Sequence, residues 1–202
     1  AILPVRGLVA FPHMTLPFMV SLESSQLIED AVNADGRIGL LTVKDDEAED
    51  PAPEQLYTVG TLVEIMHAKK NGDGIWVVLL SGLDRFKVKS WETEGSYLRA
   101  SIMRAPDVVE ADLETEALRD HLQRTFKEVL ALTPDASDEM GKAVARIDDP
   151  LQLVYAAAFN MKLATETRQA LLEMEGANAK LRKLLELLSR EKEMLNIGHK
   201  IQ

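Results

Sequence analysis

The sequence has no cysteine in its 202 residues, a gap that removes disulfides, thiolate zinc sites and cysteine nucleophiles together. It fits a reducing compartment. Long apolar runs are also missing: no stretch approaches the ~18 residues of a membrane span. The opening Ala1-Ile2-Leu3-Pro4-Val5-Arg6 lacks the basic region and apolar run of a secretory signal. Positive charge is scarce, with 23 Lys and Arg against 33 Asp and Glu for a formal net charge of −10. That balance disfavours nonspecific attraction to phosphate backbones or anionic membranes. No phosphate-binding loop is present, since Gly141-Lys142 runs into Ala143 and has no glycine five places upstream. Lys89-Ser90 is an adjacency on opposite faces of a strand, not a catalytic pair. The four histidines, His13, His67, His121 and His199, stand singly, without the converging spacing that metal ligands need. No catalytic, cofactor-binding or metal residue is therefore expected.

What is present changes period part-way along. From Ile2 to about Arg104 the pattern is strand-like. A helix is expected from Leu22 to Asn33, followed by a turn at Ala34-Asp35-Gly36 and the apolar run Arg37 to Val43. Tyr57 to Lys70 and Ile75 to Leu80 flank Asn71-Gly72-Asp73-Gly74, which reads as a β-hairpin because Gly and Asn tolerate the positive φ of such turns. Phe86 and Val88 alternate with Lys87 and Lys89, and Leu98, Ala100 and Ile102 alternate with Arg99 and Ser101. A period of two marks half-buried strands. Several strands with little helix between them suggest a small sheet, closed or nearly closed. Asp45 to Glu54, acidic and holding two prolines, reads as a solvated loop; it lacks the spaced ligands and the glycine of a calcium loop.

Beyond Pro106 the period becomes helical. Leu113, Ala117, Leu118, His121, Leu122, Thr125, Phe126 and Val129 recur at three and four. Thr133-Pro134-Asp135 stops that helix, and Ser137 caps a short one. Asp149-Pro150 starts a third, with Leu151, Val154, Tyr155 and Ala158 inward. Thr165 to Arg168 begins a fourth, with Ala170, Leu171 and Met174 inward. Leu181, Leu184, Leu185, Leu188 and Leu195 stripe a long last helix, whose other side carries Arg182, Glu186 and Arg190 at four-residue spacing. The stripe continues through Met194, Ile197 and Ile201 with no capping residue at Lys200-Ile201-Gln202, so the end reads as cut, and the missing initiator Met reads as trimming or another cut.

One segment is Leu3-Pro4-Val5-Arg6 with Phe11-Pro12, Pro17 and Ser24-Ser25. A second is Tyr57-Thr58-Val59-Gly60-Thr61, the hairpin, Gly82-Leu83-Asp84-Arg85 and Tyr97-Leu98-Arg99-Ala100. In order and spacing the two resemble the amino-terminal domain of the Lon family of ATP-dependent proteases. Asp149-Pro150, Leu171-Leu172-Glu173 and the run from Leu184 to Gln202 look similar to the family's helical part. Ser21-Leu22-Glu23 departs from a Gly-Arg common there.

The resemblance implies an α+β fold. Residues 1–106 would form a pseudouridine-synthase-associated-like β-barrel, and 107–202 an all-α helical bundle ending in a long helix. It implies a substrate-recognition and assembly-supporting region of an ATP-dependent serine endopeptidase that degrades misfolded and regulatory proteins. The Ser-Lys dyad, ATP and magnesium would belong to the parent outside this chain. Implied partners are unfolded or degradation-tagged proteins and the other subunits of a homohexamer, with no membrane and no nucleic acid expected. The implied location is a bacterial cytoplasm, with the mitochondrial matrix second. Alternatives are a nucleic-acid-binding module on the same barrel, or a free-standing adaptor. A recogniser of many substrates needs an adaptable apolar surface, and Met14, Phe18, Met66 and Trp76 are residue types suited to one. The group Phe11, Met14, Phe18 and Met19 reads first as strand residues filling a barrel and only second as a binding surface.

Overall fold

The computed structural model describes residues 1–201. The strands are β1 (Ile2–Val5), β2 (Thr15–Val20), β3 (Arg37–Thr42), β4 (Val59–Lys70), β5 (Trp76–Glu92) and β6 (Arg99–Arg104). The helices are α1 (Ser25–Val32), α2 (Leu113–Leu132), α3 (Asp138–Ala145), α4 (Pro150–Asn160), α5 (Thr165–Glu173) and α6 (Ala177–Ile201). The fold is α+β, as expected. Contacts divide the chain into two units: Ala1–Pro106 together with Ala164–Glu173, and Asp107–Leu163 together with the chain from Met174 onward. The sequence pattern drew one cut at Pro106; the contacts place α5, a helix by period, with the strands.

In the first unit the strand order is β1-β3-β4-β5-β2, with β6 also pairing β5. The sheet curls into a half-barrel and stops short of closure, because β1 and β2 end the order without pairing each other. The two alternating stretches Ile75–Leu80 and Phe86–Lys89 are one strand of 17 residues. Its first part pairs with β2 and its second with β6, while β4 runs beside both. Continuity requires Gly82. A Cβ there would lie 2.4 Å from the Phe11 carbonyl oxygen, because the segment between β1 and β2 crosses the strand at that point. The crossing is fixed by Gly82 N–H donating to the Met14 oxygen (2.7 Å) and His13 N–H donating to the Gly82 oxygen (3.1 Å).

Val59, Gly60 and Thr61 are all buried in β4, so both faces of the sheet are covered there. α5 provides cover on one of them: Gln169 donates its amide N–H to the Val59 carbonyl at 2.9 Å. A Cβ on Gly60 would sit 2.1 Å from the Leu40 carbonyl oxygen and 2.6 Å from Leu41 Cδ2. Gly60→Ala is expected to cost about 1–3 kcal/mol by overpacking. Urea unfolding is the measurement, and an unchanged midpoint would show that β3 can yield.

Two apolar clusters fill this unit. One gathers Leu3, Val20, Leu27, Ile28, Ile38, Leu40, Val78 and Leu80, with α1 closing it. The other gathers Ile2, Leu41, Val43, Leu56 and Phe86. The acidic loop is exposed at Asp45, Asp46, Glu47, Glu49, Asp50 and Glu54, in keeping with solvation. Arg6 nevertheless ties it down: its Nε donates to the Ala48 oxygen at 2.9 Å and its Nη2 to the Glu49 oxygen at 2.6 Å.

In the second unit the helix starts fall where the capping residues stand. Asp112 accepts from Thr115 N–H (2.8 Å), Ser137 from Glu139 N–H (3.2 Å) and Asp149 from Gln152 N–H (3.0 Å). Each carboxylate or hydroxyl satisfies a backbone donor that the first turn leaves open. The bonds from Thr115 hold the Asp112 carboxyl below the usual carboxylate range. The core joins Leu122 and Phe126 of α2, Leu153, Val154 and Tyr155 of α4, and Leu181, Leu184 and Leu188 of α6.

Two helical faces differ from the sequence pattern. Leu113, Ala117 and His121 are exposed, and the buried side of α2 is Thr115, Leu122, Thr125, Phe126 and Val129. In the first turn it is Thr115 that points inward, donating its hydroxyl to Asn178 Oδ1 at 2.7 Å, which leaves Leu113 and Ala117 facing solvent. In α5, Ala170 is exposed while Gln169 is buried, because that helix packs on the sheet. Met194, Ile197 and Ile201 are exposed on the last turns of α6. The uncapped end expected at Gln202 lies outside the described residues.

Candidate functional site

Among the described residues no group of three or more His, Asp or Glu side chains is placed to hold a metal ion. No helix of the described residues is long and apolar enough to cross a membrane. The surface with chemistry to offer lies on the half-barrel.

On its outer face, register brings apolar side chains into rows. Pro17 of β2 lies opposite Leu79 of β5, which lies opposite His67 of β4; the next row is Met19, Val77 and Lys69. Met19 is 64% exposed and Val77 44%. Met66, 53% exposed, falls in the register shift between Ile65 and His67 and stands beside these rows. Cross-strand neighbours on one face lie close enough to form a continuous patch.

The sequence candidates separate on this geometry. Met66 is on the exposed side. Phe18 and Trp76 are half-buried and pack against the first core cluster, since they share the inward side with Val20 and Val78. The Trp76 indole N–H donates to Ser25 Oγ at 3.0 Å, and Lys70 Nζ lies 5.8 Å from its ring centroid. Met14 is half-buried beside the Gly82 crossing. The residues that do face outward, Met19 and Val77, are each one position along from a candidate. A period of two makes that single step decisive.

A groove of about 340 Å³ opens where the half-barrel fails to close, between β1 and β2. Phe18, Tyr97 and Leu98 stand half-buried on its walls. The Tyr97 hydroxyl donates to Asp30 Oδ2 at 2.7 Å, and Gln26 donates to Asp30 Oδ1 at 2.8 Å. These bonds hold the Asp30 carboxyl below its ordinary range, Tyr97 first and Gln26 second, and the same bond raises the Tyr97 phenol.

A larger groove of about 680 Å³ lies between α2 and α6, lined by Arg124, Lys192 and Lys200 with Glu128 and Glu193. Two of its charges answer one another: Lys192 Nζ lies 2.5 Å from Glu128 Oε2, and that contact holds the Glu128 carboxyl low.

The sequence pattern missed two buried polar ties. Arg85, 1% exposed, donates from Nη1 to the Leu172 carbonyl at 2.8 Å, at the last turn of α5. Lys180, fully buried, holds Nζ 3.5 Å from Asp107 Oδ1 and 5.2 Å from the Tyr155 ring centroid. Tyr155 donates its hydroxyl to Asp107 Oδ2 at 2.5 Å. Lys180 was detectable, because it stands three after Ala177 and four before Leu184 on the buried stripe.

The model of the ATP-dependent protease La (LON) substrate-binding domain matches residues 1–190. The chain belongs to that family. It is 33% identical over 201 residues to a Lon protease of Solibacter usitatus (strain Ellin6076), covering 99% of this chain and 25% of the relative. To a Lon protease of Anaeromyxobacter dehalogenans (strain 2CP-C) it is 36% identical over 202 residues, covering 99% and 24%. The chain thus spans about a quarter of the length of these Lon proteases. Its fold is similar to the N-terminal domain of a Lon protease from the Mycobacterium avium complex, with a TM-score of 0.75 at 20% identity over 93% of this chain and 96% of that one. It is also similar to a Lon N-terminal domain protein from Xanthomonas campestris, with a TM-score of 0.65 at 19% identity over 92% and 95%. Within this Lon domain, the motif residues Gly60, Gly82 and Arg85 hold the half-barrel together instead of forming its exposed surface.

Proposed function

We propose that this Lon substrate-binding domain recognises unfolded or degradation-tagged polypeptide for an ATP-dependent serine protease, without catalysis of its own. The observation that carries the reading is the outward strip of Pro17, Met19, Val77 and Leu79 with Met66 beside it. In a family described as substrate-binding, it is an adaptable apolar surface without a deep cavity. Methionine suits such a surface because its unbranched, polarizable side chain repacks around unrelated partners. Met66 keeps its place as a contact, joined by Met19 and Val77. Phe18 acts from the groove, while Met14 and Trp76 support from behind. The parent's ATP, magnesium and Ser-Lys dyad would lie outside this chain. Its subunits would form a homohexamer in a bacterial cytoplasm, and avidity across that ring would raise a weak single-site affinity.

Single-site binding is expected at dissociation constants of tens of micromolar or weaker, about −6 kcal/mol. Titrating the chain with an aromatic-rich unfolded peptide should move amide resonances at Met19, Met66 and Val77. Replacing Met19 and Val77 together by serine should weaken binding about tenfold, or ~1.4 kcal/mol, while leaving the thermal midpoint within a few degrees. Unchanged affinity, or shifts produced by RNA alone, would remove the reading.

A further inference from the structure

We infer that the gap between β1 and β2 is a second recognition groove, adjoining the outer strip at Met19. It takes an extended polypeptide bearing an apolar side chain next to a lysine or arginine. It reads that segment by its side chains and not by strand addition. The first ground is backbone chemistry. Because Gly82 N–H donates to the Met14 oxygen, alternation aims the backbone groups of Thr15, Pro17 and Met19 away from β5, towards the gap. On β1, Gly39 N–H donates to the Ala1 oxygen and Val43 N–H to the Val5 oxygen, so Ile2 and Pro4 face the gap. Pro4 and Pro17 have no N–H, and the Ile2 N–H is already given to the Leu98 oxygen at 2.9 Å. An incoming strand meets a proline at the middle of either edge and finds no run of donors, the arrangement by which sheet edges resist pairing.

The second ground is what the groove offers instead. Phe18, Tyr97 and Leu98 leave apolar surface on its walls, and the Tyr97 ring is fixed by its bond to Asp30. Glu23, Glu49 and Asp50 line the rim against one cation, Arg6. The Arg6 guanidinium is already engaged with the carbonyls of Ala48 and Glu49. The rim is therefore negative where a flanking side chain would lie. A positive residue beside an inserted apolar one is complementary to it, and an acidic one is repelled.

The test uses the 202-residue chain and a labelled peptide alternating Leu and Phe with Lys, against the same peptide carrying Glu in place of Lys. The Lys peptide is expected to bind about five- to tenfold more tightly at low ionic strength, with the difference shrinking in 0.5 M salt. Amide shifts should fall at Phe18, Tyr97 and Leu98. Replacing Glu49→Gln and Asp50→Asn, both exposed and outside the core, should abolish the preference without altering stability. Val77→Ser, on the strip but not on the groove wall, should keep it, which separates this groove from the strip. N-methylation of alternate peptide amides should change affinity less than twofold. Equal binding of the two peptides, a preference that survives the double amide variant, or a tenfold loss on N-methylation would each overturn the inference.

Discussion

Arg85→Ala is expected to release α5 from the sheet and to cost about 4 kcal/mol, combining a large buried side chain lost with a carbonyl left unbonded. Arg85 is buried in β5, and the next residue, Phe86, is buried as well. Successive strand residues point to opposite faces, so both faces are covered at this point. On the Arg85 side the cover is the end of α5, where the Leu172 carbonyl accepts at 2.8 Å. A guanidinium is well placed there, because the last carbonyls of a helix lack intrahelical partners and carry the negative end of its dipole. Arg85→Lys keeps the charge without the planar fork and should cost about half as much. Urea unfolding gives the total, and hydrogen exchange gives the location. Protection of the amides near Gln169–Glu173 should fall before that of β4 and β5. A loss under about 1 kcal/mol with α5 still protected would mean that apolar packing alone holds the helix.

Lys180→Met should be as damaging, at about 3–5 kcal/mol, because it strands a buried carboxylate. Asp107 is the first residue of the second unit, and its side chain is 6% exposed. Its carboxylate takes Lys180 on one oxygen and the Tyr155 hydroxyl on the other, which joins the entering chain to α4 and α6. The backbone reinforces the same place: Val108 N–H donates to the Glu175 oxygen at 2.7 Å and Ala177 N–H to the Val108 oxygen at 2.8 Å. Adding Asp107→Asn to Lys180→Met should recover at least half of the loss. A neutral amide no longer needs a counter-charge and can still accept from Tyr155. The double-mutant cycle reads the coupling directly. If the double variant is no more stable than Lys180→Met, the ion pair is not what holds the entering chain.

The distinction between the two buried cations and the exposed ones was invisible to composition. A net charge of −10 describes neither the acidic rim at Glu49 and Asp50 nor the engagement of Arg6 with the same loop. The strip shows the same gap at finer scale. Residue types pointed to Phe18 and Trp76, while the pairing of β2 with β5 turned Met19 and Val77 outward.

The sequence alone determined whatever depends on neighbours a few residues away. The turn Asn71–Gly74 bends because Asn71 Oδ1 accepts from Asp73 and Ile75 N–H, at 3.0 Å each. The caps at Asp112, Ser137 and Asp149 act over two or three residues. Helical and strand periods are local in the same sense, so the change of period near Pro106 was legible. The tertiary structure decided what depends on distant partners. Gln169 meets Val59 across 110 residues and Arg85 meets Leu172 across 87, and these bonds draw a helix into the unit of strands. Which side of β2 meets solvent, and where the half-barrel stays open, follow from the same long-range pairing. Chain closure over such distances is opposed by entropy, and the pairing is fixed only when the buried contacts of the whole sheet form together. No window of sequence contains that sum.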